Sequence, residues 1–497
     1  MLRVNKKYLF CFLFFYGFLF CQDLYSQNSS SSPYSRYGLG DLLFSGYSRN
    51  LGMGGIGIAG NQALYLNPIN PAGYSELYLT TFELGVNASL SKQISSKVEQ
   101  NNNTASLGYF AFGFPAITKK WGLGFGLLPY SNVGYSVEEV TRNDLNQPEF
   151  RTYAGSGGLN QFYLNNGVSL AKNLSFGVTA SYLFGVINQD RRVEFTDPSY
   201  FNTSVSNSNA MGWFHYNFGL LYTFDSLSIN PSDSINAIDE QLKVDEVTRK
   251  NIEFDIASTP DELKKTTLIE KRMKLDSTME TRRLSRDAIQ TRTKKSDWHL
   301  SFGLTLAPSA NLRGRESMFA YNFKYLTPAN NQEVIRDTIV DTEGVEGVVK
   351  LPLSAGFGVA VKKGNRWLIG ADFTVQQWSD YTYFGQSDSL VDSWKIALGL
   401  QYTPNERAVK SYLRQIQYRA GYHYSRSFLE LQGIQLEEMG ASIGLGFPFR
   451  RVGTTVQFST EIGKRGTIQN GLIEEKYIRF SLGFTLNDRW FIKPKYD

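Results

Sequence analysis

The chain has 497 residues, with 51 Lys and Arg against 46 Asp and Glu, which leaves a formal net charge of +5. This near balance, with no basic patch interleaved with aromatic residues, excludes nucleic acid as an expected partner. Aromatic residues make up 14% of the chain and glycine accounts for 45 positions. Membrane β-barrels carry aromatic girdles and small lumen-facing side chains, and both features would raise these shares.

The first 26 residues have the pattern of a secretory signal peptide, which predicts a mature chain that starts at Gln27. A basic start is followed by a short apolar core over residues 8–20 and by a small residue at the cleavage position. The apolar run is too short for a transmembrane helix. Lipid attachment at Cys21 is the alternative, which the bulky Phe20 before it disfavours. Cleavage would remove both cysteines, so we expect no disulfide in the mature chain.

Residues 27–77 follow no regular period and are predicted to form an N-terminal leader and an irregular segment ahead of the strands. They are first rich in serine and then, around 51–60, rich in glycine. The glycine run lacks the Lys-Ser/Thr pair that completes a phosphate-binding loop. So many glycines predict irregular backbone that packs closely in a confined space.

From residue 78 onward, about fourteen segments alternate apolar with small or polar residues, which is the period-two pattern of a β-strand. The clearest is 477–486, where every second residue is Ile, Phe or Leu. The candidate strands are 78–91, 104–114, 121–134, 159–171, 173–187, 211–224, 297–308, 349–362, 366–378, 392–403, 414–426, 436–448, 451–463 and 476–486. Each has about the length that crosses a bilayer at a tilt. The fold class predicted for residues 78–497 is therefore an all-β, transmembrane antiparallel β-barrel.

The connections between these strands give a second signal, because long outer and short inner connections alternate in such barrels. Long or polar connections are predicted at 92–103, 135–158, 188–210, 309–348, 379–391, 427–435 and 464–475. Short connections are predicted at 115–120, 172, 363–365, 404–413 and 449–450. With an even strand number we expect both termini in the periplasm, and the aromatic pair Trp490 and Phe491 at the inner interface.

Residues 225–296 interrupt this alternation, because a long segment falls on the side of the short turns. Residues 225–263 carry 10 acidic and 3 basic residues, whereas residues 264–296 carry 4 acidic and 11 basic residues. The sequence from Thr259 to Glu262 has the form of a helix start with Thr259 as the N-cap. We predict a charged helical periplasmic insert.

Two interpretations of this insert stay open. Either its acidic and basic halves pair with each other, or its basic face docks on a periplasmic protein or on anionic lipid. The candidate docking residues are Lys264, Lys265, Arg272, Arg282 and Arg283.

Few residues indicate catalysis. The three histidines, His215, His299 and His423, lie in predicted strands without a neighbouring nucleophile and orienting group. No metal-ligand spacing occurs either, so we expect neither enzyme activity nor a cofactor. The polar residues predicted to face the lumen are His215, His299, Asp372, Lys395, Arg419, Glu461 and Arg479. They either stabilise the wall by hydrogen bonding, which we favour, or line a ligand path.

Residues 51–73 resemble the hatch region of the FadL/TodX outer-membrane transporters of hydrophobic compounds. The resemblance rests on the Gly/Ala-rich run, on Asn67 and the proline after it, and on Asn70-Pro71-Ala72-Gly73. It implies a plug inside a fourteen-stranded barrel, and a ligand path at Asn67, Asn70, Pro71 and Ala72. Asn-Pro also favours a turn in its own right.

The mature end at Gln27 and the aromatic C-terminal end are similar to those of outer-membrane proteins of the Bacteroidetes. In that group FadL-like barrels also serve as accessory subunits of the type IX secretion and gliding machinery, and the insert 225–296 has no counterpart in the fatty-acid transporters. Two functions are therefore expected to compete. One is a channel for fatty-acid-like hydrophobic or amphipathic molecules, gated by the hatch. The other is a non-transporting accessory subunit that docks through 225–296.

Overall fold

The computed structural model describes residues 32–488, apart from 44–45, 61, 97, 143–145, 226–230, 296–297, 328–329, 407, 409–410 and 450–452. The predicted signal peptide, the first residues of the leader, and Trp490 and Phe491 lie outside the described residues.

Within the described residues, nineteen strands form one antiparallel sheet. The strands before the charged insert are β1 (Asp41–Leu42), β2 (Thr80–Ile94), β3 (Glu99–Ile117), β4 (Trp121–Arg142), β5 (Pro148–Ala171), β6 (Leu174–Phe195) and β7 (Asn202–Asp225). After the insert come β8 (Trp298–Ala307), β9 (Ala310–Thr327), β10 (Asn330–Leu351), β11 (Ser354–Lys363), β12 (Trp367–Gln376), β13 (Thr382–Tyr383), β14 (Gln386–Ser387), β15 (Ser393–Tyr402), β16 (Gln417–Leu431), β17 (Ile434–Pro448), β18 (Thr455–Arg465) and β19 (Glu474–Asp488).

Fourteen of these strands close a barrel, as the period-two pattern predicts. The wall strands are β2 to β8, β11, β12 and β15 to β19, each paired with the next. The last strand returns to the first, with Asp488 opposite Thr80. We call the end that holds these two residues the near end, and the opposite end the far end. The predicted fold class is confirmed.

The apolar side chains predicted to face lipid lie on the outer surface of the wall. On β19, Leu482 and Phe484 are 37% and 40% exposed, whereas Ser481 and Thr485 are almost fully buried. The outward rows continue across neighbouring strands, so that Leu482 lies opposite Phe458. A protein in water would bury such a belt, and its exposure marks the surface that contacts lipid.

The long connection predicted at 309–348 is wrong, because this segment forms a β-hairpin. β9 continues the line of β8 beyond Pro308 and pairs with the far-end part of β7, over residues 202–212. β10 runs back along β9 and leads through Pro352 into β11. Other polar connections, such as 135–158, are likewise shortened by strands that extend past the membrane. Outside the bilayer a strand needs no apolar face, so hydropathy marks only its membrane-spanning part.

Two long helices form the charged insert at the near end of the barrel. A short helix α1 (Ser48–Leu51) belongs to the N-terminal segment, and the insert contains α2 (Pro231–Ser258) and α3 (Glu262–Lys295). Asp261 Oδ1 accepts a hydrogen bond from the N–H of Leu263 at 3.0 Å. Asp261 therefore caps α3 in place of the predicted Thr259, whose hydroxyl donates back into α2. Among the described helices, none combines the length and the apolarity that a membrane crossing demands.

Candidate functional site

Residues 32–77, which we call the lumen segment, lie inside the barrel. β1 pairs with the middle of β4, where Asp41 lies opposite Asn132. A 3-10 helix over Pro71–Glu76 packs against β5 and β6. Met53 and Tyr74 are almost completely buried although they belong to an irregular segment. The wall therefore supplies the burial that the lumen segment lacks on its own.

The lumen segment makes one circuit of the inner wall on its way to the near end. Gly52 contacts β17, Gly54 contacts β16, Ile58 contacts β11 and β8, and Asn70 contacts β7. Wall glycines make room for this path, because a Cβ at each would collide with the segment. They are Gly122, Gly167, Gly177, Gly219, Gly303, Gly399 and Gly421. The high glycine content noted in the sequence thus has a structural role at the interface of wall and segment.

The lumen segment starts at the far end of the barrel. The hydroxyl of Tyr34 donates to the carbonyl of Ile473 at 2.6 Å. Tyr34 and Leu39 also join a buried apolar cluster with Trp378, which packs the far part of the lumen. The mature N-terminus predicted at Gln27 lies outside the described residues, so the expectation that both termini are periplasmic stays a prediction. The apolar anchors hold the start of the segment at the far end, whereas β19 finishes at the near end.

Gly57 and Ile58 have all four of their backbone polar groups bonded by side chains. From β12, Asp372 Oδ2 accepts hydrogen bonds from the N–H groups of Gly57 at 2.7 Å and of Ile58 at 2.8 Å. Asn67 Nδ2 donates to the carbonyl of Gly57 at 2.6 Å, and Asn70 Nδ2 donates to that of Ile58 at 2.7 Å. We call these five residues the latch.

The two asparagines of the latch also shape the turn that carries them. Asn67 Oδ1 accepts from the backbone N–H two residues later at 3.1 Å. Asn70 Oδ1 accepts from the N–H of Ala72 at 3.0 Å and caps the 3-10 helix that starts at Pro71. Asn70 Nδ2 further donates to the carbonyl of Leu220 on β7 at 3.1 Å. The four motif residues, Asn67, Asn70, Pro71 and Ala72, thus hold one turn against the wall.

Several polar residues predicted for the lumen meet between β16 and β19. Arg479 Nη1 contacts Glu438 Oε1 at 3.0 Å and Glu461 Oε1 at 3.1 Å. His423 Nδ1 lies 3.7 Å from Glu461 Oε2, and the hydroxyl of Tyr477 donates to Glu438 at 2.8 Å. Opposite charges in this cluster compensate one another, as expected of residues that stabilise the wall. Glu438 was missed in the sequence, although its inward position on β17 follows from the same alternation.

Other buried charges lie nearer the near end. Arg419 donates to the side-chain oxygens of Gln401, Gln417 and Gln457. Within the lumen segment, the Arg49 guanidinium lies 4.7 Å from the ring centre of Tyr65. On β2, Glu83 Oε1 accepts from the N–H of Leu66 at 3.0 Å. Arg49 and Glu83 were not predicted, although a charged residue in a segment expected inside a barrel is a usable signal.

The remaining predicted lumen residues are not part of the latch. Lys395 interacts electrostatically with Glu461 and Asp372. His215 lies on the inner face of β7, two residues from Asn217, which donates to the lumen segment. His299 lies at the near end of β8, opposite Lys362.

Three of the five basic residues predicted for docking pair with acids of the helical insert itself. Arg282 forms an ion pair with Asp245 of α2. Arg272 Nη1 lies 3.9 Å from Glu253 Oε1 of α2, and Lys265 Nζ lies 3.6 Å from Glu262 Oε1 at the end of the acidic half. The two others, Lys264 and Arg283, are exposed. The interpretation in which the two halves of the insert pair with each other is supported by these contacts.

The comparisons with known proteins agree on the architecture. The BamG family model matches residues 5–280 and 255–497, and no curated protein matches the sequence significantly. A FadL homologue from Pseudomonas aeruginosa is similar in structure, with a TM-score of 0.52 and 10% identity over 90% of this chain and 99% of that chain. For the P. putida toluene transporter TodX the TM-score is 0.50, with 13% identity over 90% and 100% of the two chains. At these identities the likeness shows a shared fold.

Proposed function

The chain belongs to the BamG family, and from this premise and its FadL/TodX-like fold we propose an outer-membrane channel for hydrophobic or amphipathic small molecules. The two similar structures are described as a FadL homologue and a toluene transporter. The shared fold and the apolar outer belt of this chain support a location in the outer membrane. The descriptions of the two similar structures suggest the class of substrate. The lumen segment is proposed as the gate.

The far part of the lumen suits an apolar substrate. Leu159, Leu183 and Met211 project from the wall into a buried cluster that also includes Trp378 and Phe428. A small hydrophobic molecule that enters from the far end would replace contacts among these side chains with contacts of the same kind. Apolar lining with a few placed polar groups is typical of small-molecule sites.

The latch is the observation that carries the proposal. Asp372 belongs to the wall, whereas Gly57 and Ile58 belong to the lumen segment, and the carboxylate joins the two by two hydrogen bonds. A typical hydrogen bond contributes about 0.5–1.5 kcal/mol net, and one to a charged group about 1.5–3 kcal/mol. Opening at this point therefore has a modest cost, which ligand binding in the far lumen could offset.

Flux measurements test the channel directly. Wild-type protein, Asp372→Ala and the exposed-site control Asp341→Ala would be reconstituted in proteoliposomes with a fluorescent fatty acid. We expect ligand flux in the wild type, a changed rate in Asp372→Ala, and a wild-type rate in the control. Flux no higher than in protein-free liposomes for all three proteins would refute the channel.

A second candidate function, an accessory subunit of a larger translocon, is favoured by one observation on the insert. Both helices expose large apolar side chains to solvent, among them Phe254 at 73% and Met273 at 64%. On α2, Val247 and Phe254 are seven residues apart and lie on one helix face. A periplasmic protein with a complementary apolar surface is the proposed partner. That the translocon is the type IX secretion and gliding machinery stays a prediction.

Native purification tests this second function. The apolar variant would carry Val247→Ser, Phe254→Ser and Met273→Ser, and the charge variant Lys264→Gln and Arg283→Gln. If the insert docks through its apolar side chains, a stoichiometric partner remains with the wild type and the charge variant but is lost from the apolar variant. Equal recovery of the partner with all three proteins would exclude docking through this surface.

A further inference from the structure

Three lysines form a row across the outer wall near the far end. Lys476 on β19 lies directly opposite Lys464 on β18 and directly opposite Lys92 on β2. All three lie on the outward face, and their outward neighbours one step nearer the bilayer centre are Ile462, Ile478 and Leu90. Like charges that face each other across strands are destabilising. The lysine row therefore lies where an anionic counterpart would be stabilising.

The row borders a groove of about 950 Å³ on the lipid-facing side of the wall. The apolar lining of this groove includes Leu90, Tyr422, Met439, Ile462 and Ile478. The groove thus has ammonium groups at its far-end border and hydrocarbon along its length. This is the distribution that an amphiphile with an anionic head would complement.

The acidic residues near the row leave it cationic towards the groove. Lys92 Nζ lies 2.6 Å from Glu99 Oε2, and Lys476 Nζ lies 3.2 Å from Glu474 Oε1. All three lysines line the groove, whereas neither glutamate does. For Lys464 no carboxylate of a described residue lies within 4.0 Å. Exposed ion pairs of this kind contribute little to stability, so a better-placed anion can compete with them.

We propose that the lysine row and its groove bind a phosphorylated lipid of the outer leaflet, with phosphate on the lysines and acyl chain in the groove. We place the C-terminal end of β19 in the periplasm, because long outer and short inner connections alternate in such barrels, and the far end then faces outwards. The row then lies at the level of the outer-leaflet head groups. Lysine ammonium groups bind phosphate oxygens as point charges, and three of them suit a multiply charged head.

A second groove on the outer wall provides an internal comparison. It measures about 480 Å³ and is lined by Phe114, Leu123, Phe125, Val178 and Ala180 among others, with no charged residue in its lining. Acyl chains of any lipid suit such a groove. Selection by head group is expected only where the lysine row borders the apolar lining.

Lipid binding to the purified full-length mature chain tests the proposal. The probes are lipid A with two phosphates, the same lipid after dephosphorylation, and inorganic phosphate, with binding measured by native mass spectrometry. The row variant carries Lys92→Gln, Lys464→Gln and Lys476→Gln. The matched control removes the same charge from the helical insert through Lys243→Gln, Lys250→Gln and Lys274→Gln. Thermal unfolding of each variant shows whether the barrel is intact.

We expect lipid A to bind the row variant at least about tenfold more weakly than the wild type or the control, because the variant lacks the three ammonium groups that attract an anionic head. The dephosphorylated lipid should bind the wild type more weakly than lipid A does, by a similar factor. Millimolar inorganic phosphate should not displace lipid A. Equal binding of lipid A to the row variant and the wild type would overturn the proposal. So would equal binding of the dephosphorylated lipid, or displacement by inorganic phosphate.

Discussion

Neither the lumen segment nor the α2–α3 insert is part of the barrel wall, but the two are stabilised in opposite ways. The lumen segment is buried, and wall side chains such as Asp372 bond its backbone directly. The insert satisfies its charges internally: Arg249 Nε lies 3.0 Å from Asp276 Oδ1, and Arg286 Nε lies 2.8 Å from Asp239 Oδ1. The segment is therefore coupled to the barrel, whereas these ion pairs of the insert are made within the insert itself.

The largest expected effect breaks the coupling of the lumen segment. Asp372→Ala leaves two buried N–H groups without a partner, at about 1–3 kcal/mol each. We expect the amides of residues 50–60 to exchange at least about tenfold faster in hydrogen-exchange mass spectrometry. Asp341→Ala, on the exposed hairpin, is the control. Unchanged protection in Asp372→Ala would mean that the latch does not hold the segment.

A smaller effect is expected from filling the space between wall and segment. A Cβ at Gly421 would collide with the backbone N of Gly54, whereas a Cβ at Gly60 meets only ordinary contacts of 3.8 and 3.9 Å. Gly421→Ala should destabilise the protein by about 1–3 kcal/mol, and Gly60→Ala should be near neutral. Chemical unfolding in detergent measures both. Equal stability of the two variants would contradict the close approach of segment and wall.

The smallest effect concerns the insert. Arg282 and Asp245 join α3 to α2, and both side chains are partly buried. Removing Arg282 should lower the exchange protection of the two helices by about 1 kcal/mol and leave the barrel unchanged. Arg283→Ala, at an exposed neighbouring position, should change the exchange protection of neither the helices nor the barrel. Loss of protection in the barrel strands after Arg282→Ala would show that the insert is coupled to the wall.

The sequence predicted the wall much better than the contacts within it. Strict alternation on segments such as 477–486 identifies the membrane strands, because every second residue of such a strand faces lipid and must be apolar. Counting these segments predicts the strand number. The same signal fades outside the bilayer, so the sequence pattern predicts a loop where β9 and β10 form a hairpin. Asp372 was placed in the lumen correctly, but its partners Gly57 and Ile58 are about 300 positions earlier. No local pattern specifies a contact over that sequence separation.

Asn67 and Asn70 were found through a family resemblance and through the turn preference of Asn-Pro, and the structure places both on the latch. Arg49 was overlooked because the sequence around it is dominated by glycine. The position of the first described residues at the far end was also not predictable, since it depends on the apolar cluster that receives Tyr34 and Leu39.

The central claim, that the lumen segment must move for a hydrophobic molecule to pass, is tested most directly by fixing it in place. Ser48 Oγ lies 2.6 Å from Ser481 Oγ, and Ser75 Oγ lies 2.8 Å from Ser175 Oγ, so cysteines at these four positions would tie the segment to the wall on both sides of the latch. Fluorescent fatty-acid flux would be measured in proteoliposomes before and after oxidation, with the Ser48→Cys, Ser75→Cys variant as control. If the segment gates the channel, oxidation should stop flux in the fourfold variant only, and a reductant should restore it. Equal flux in the oxidised and reduced fourfold variant would contradict the claim.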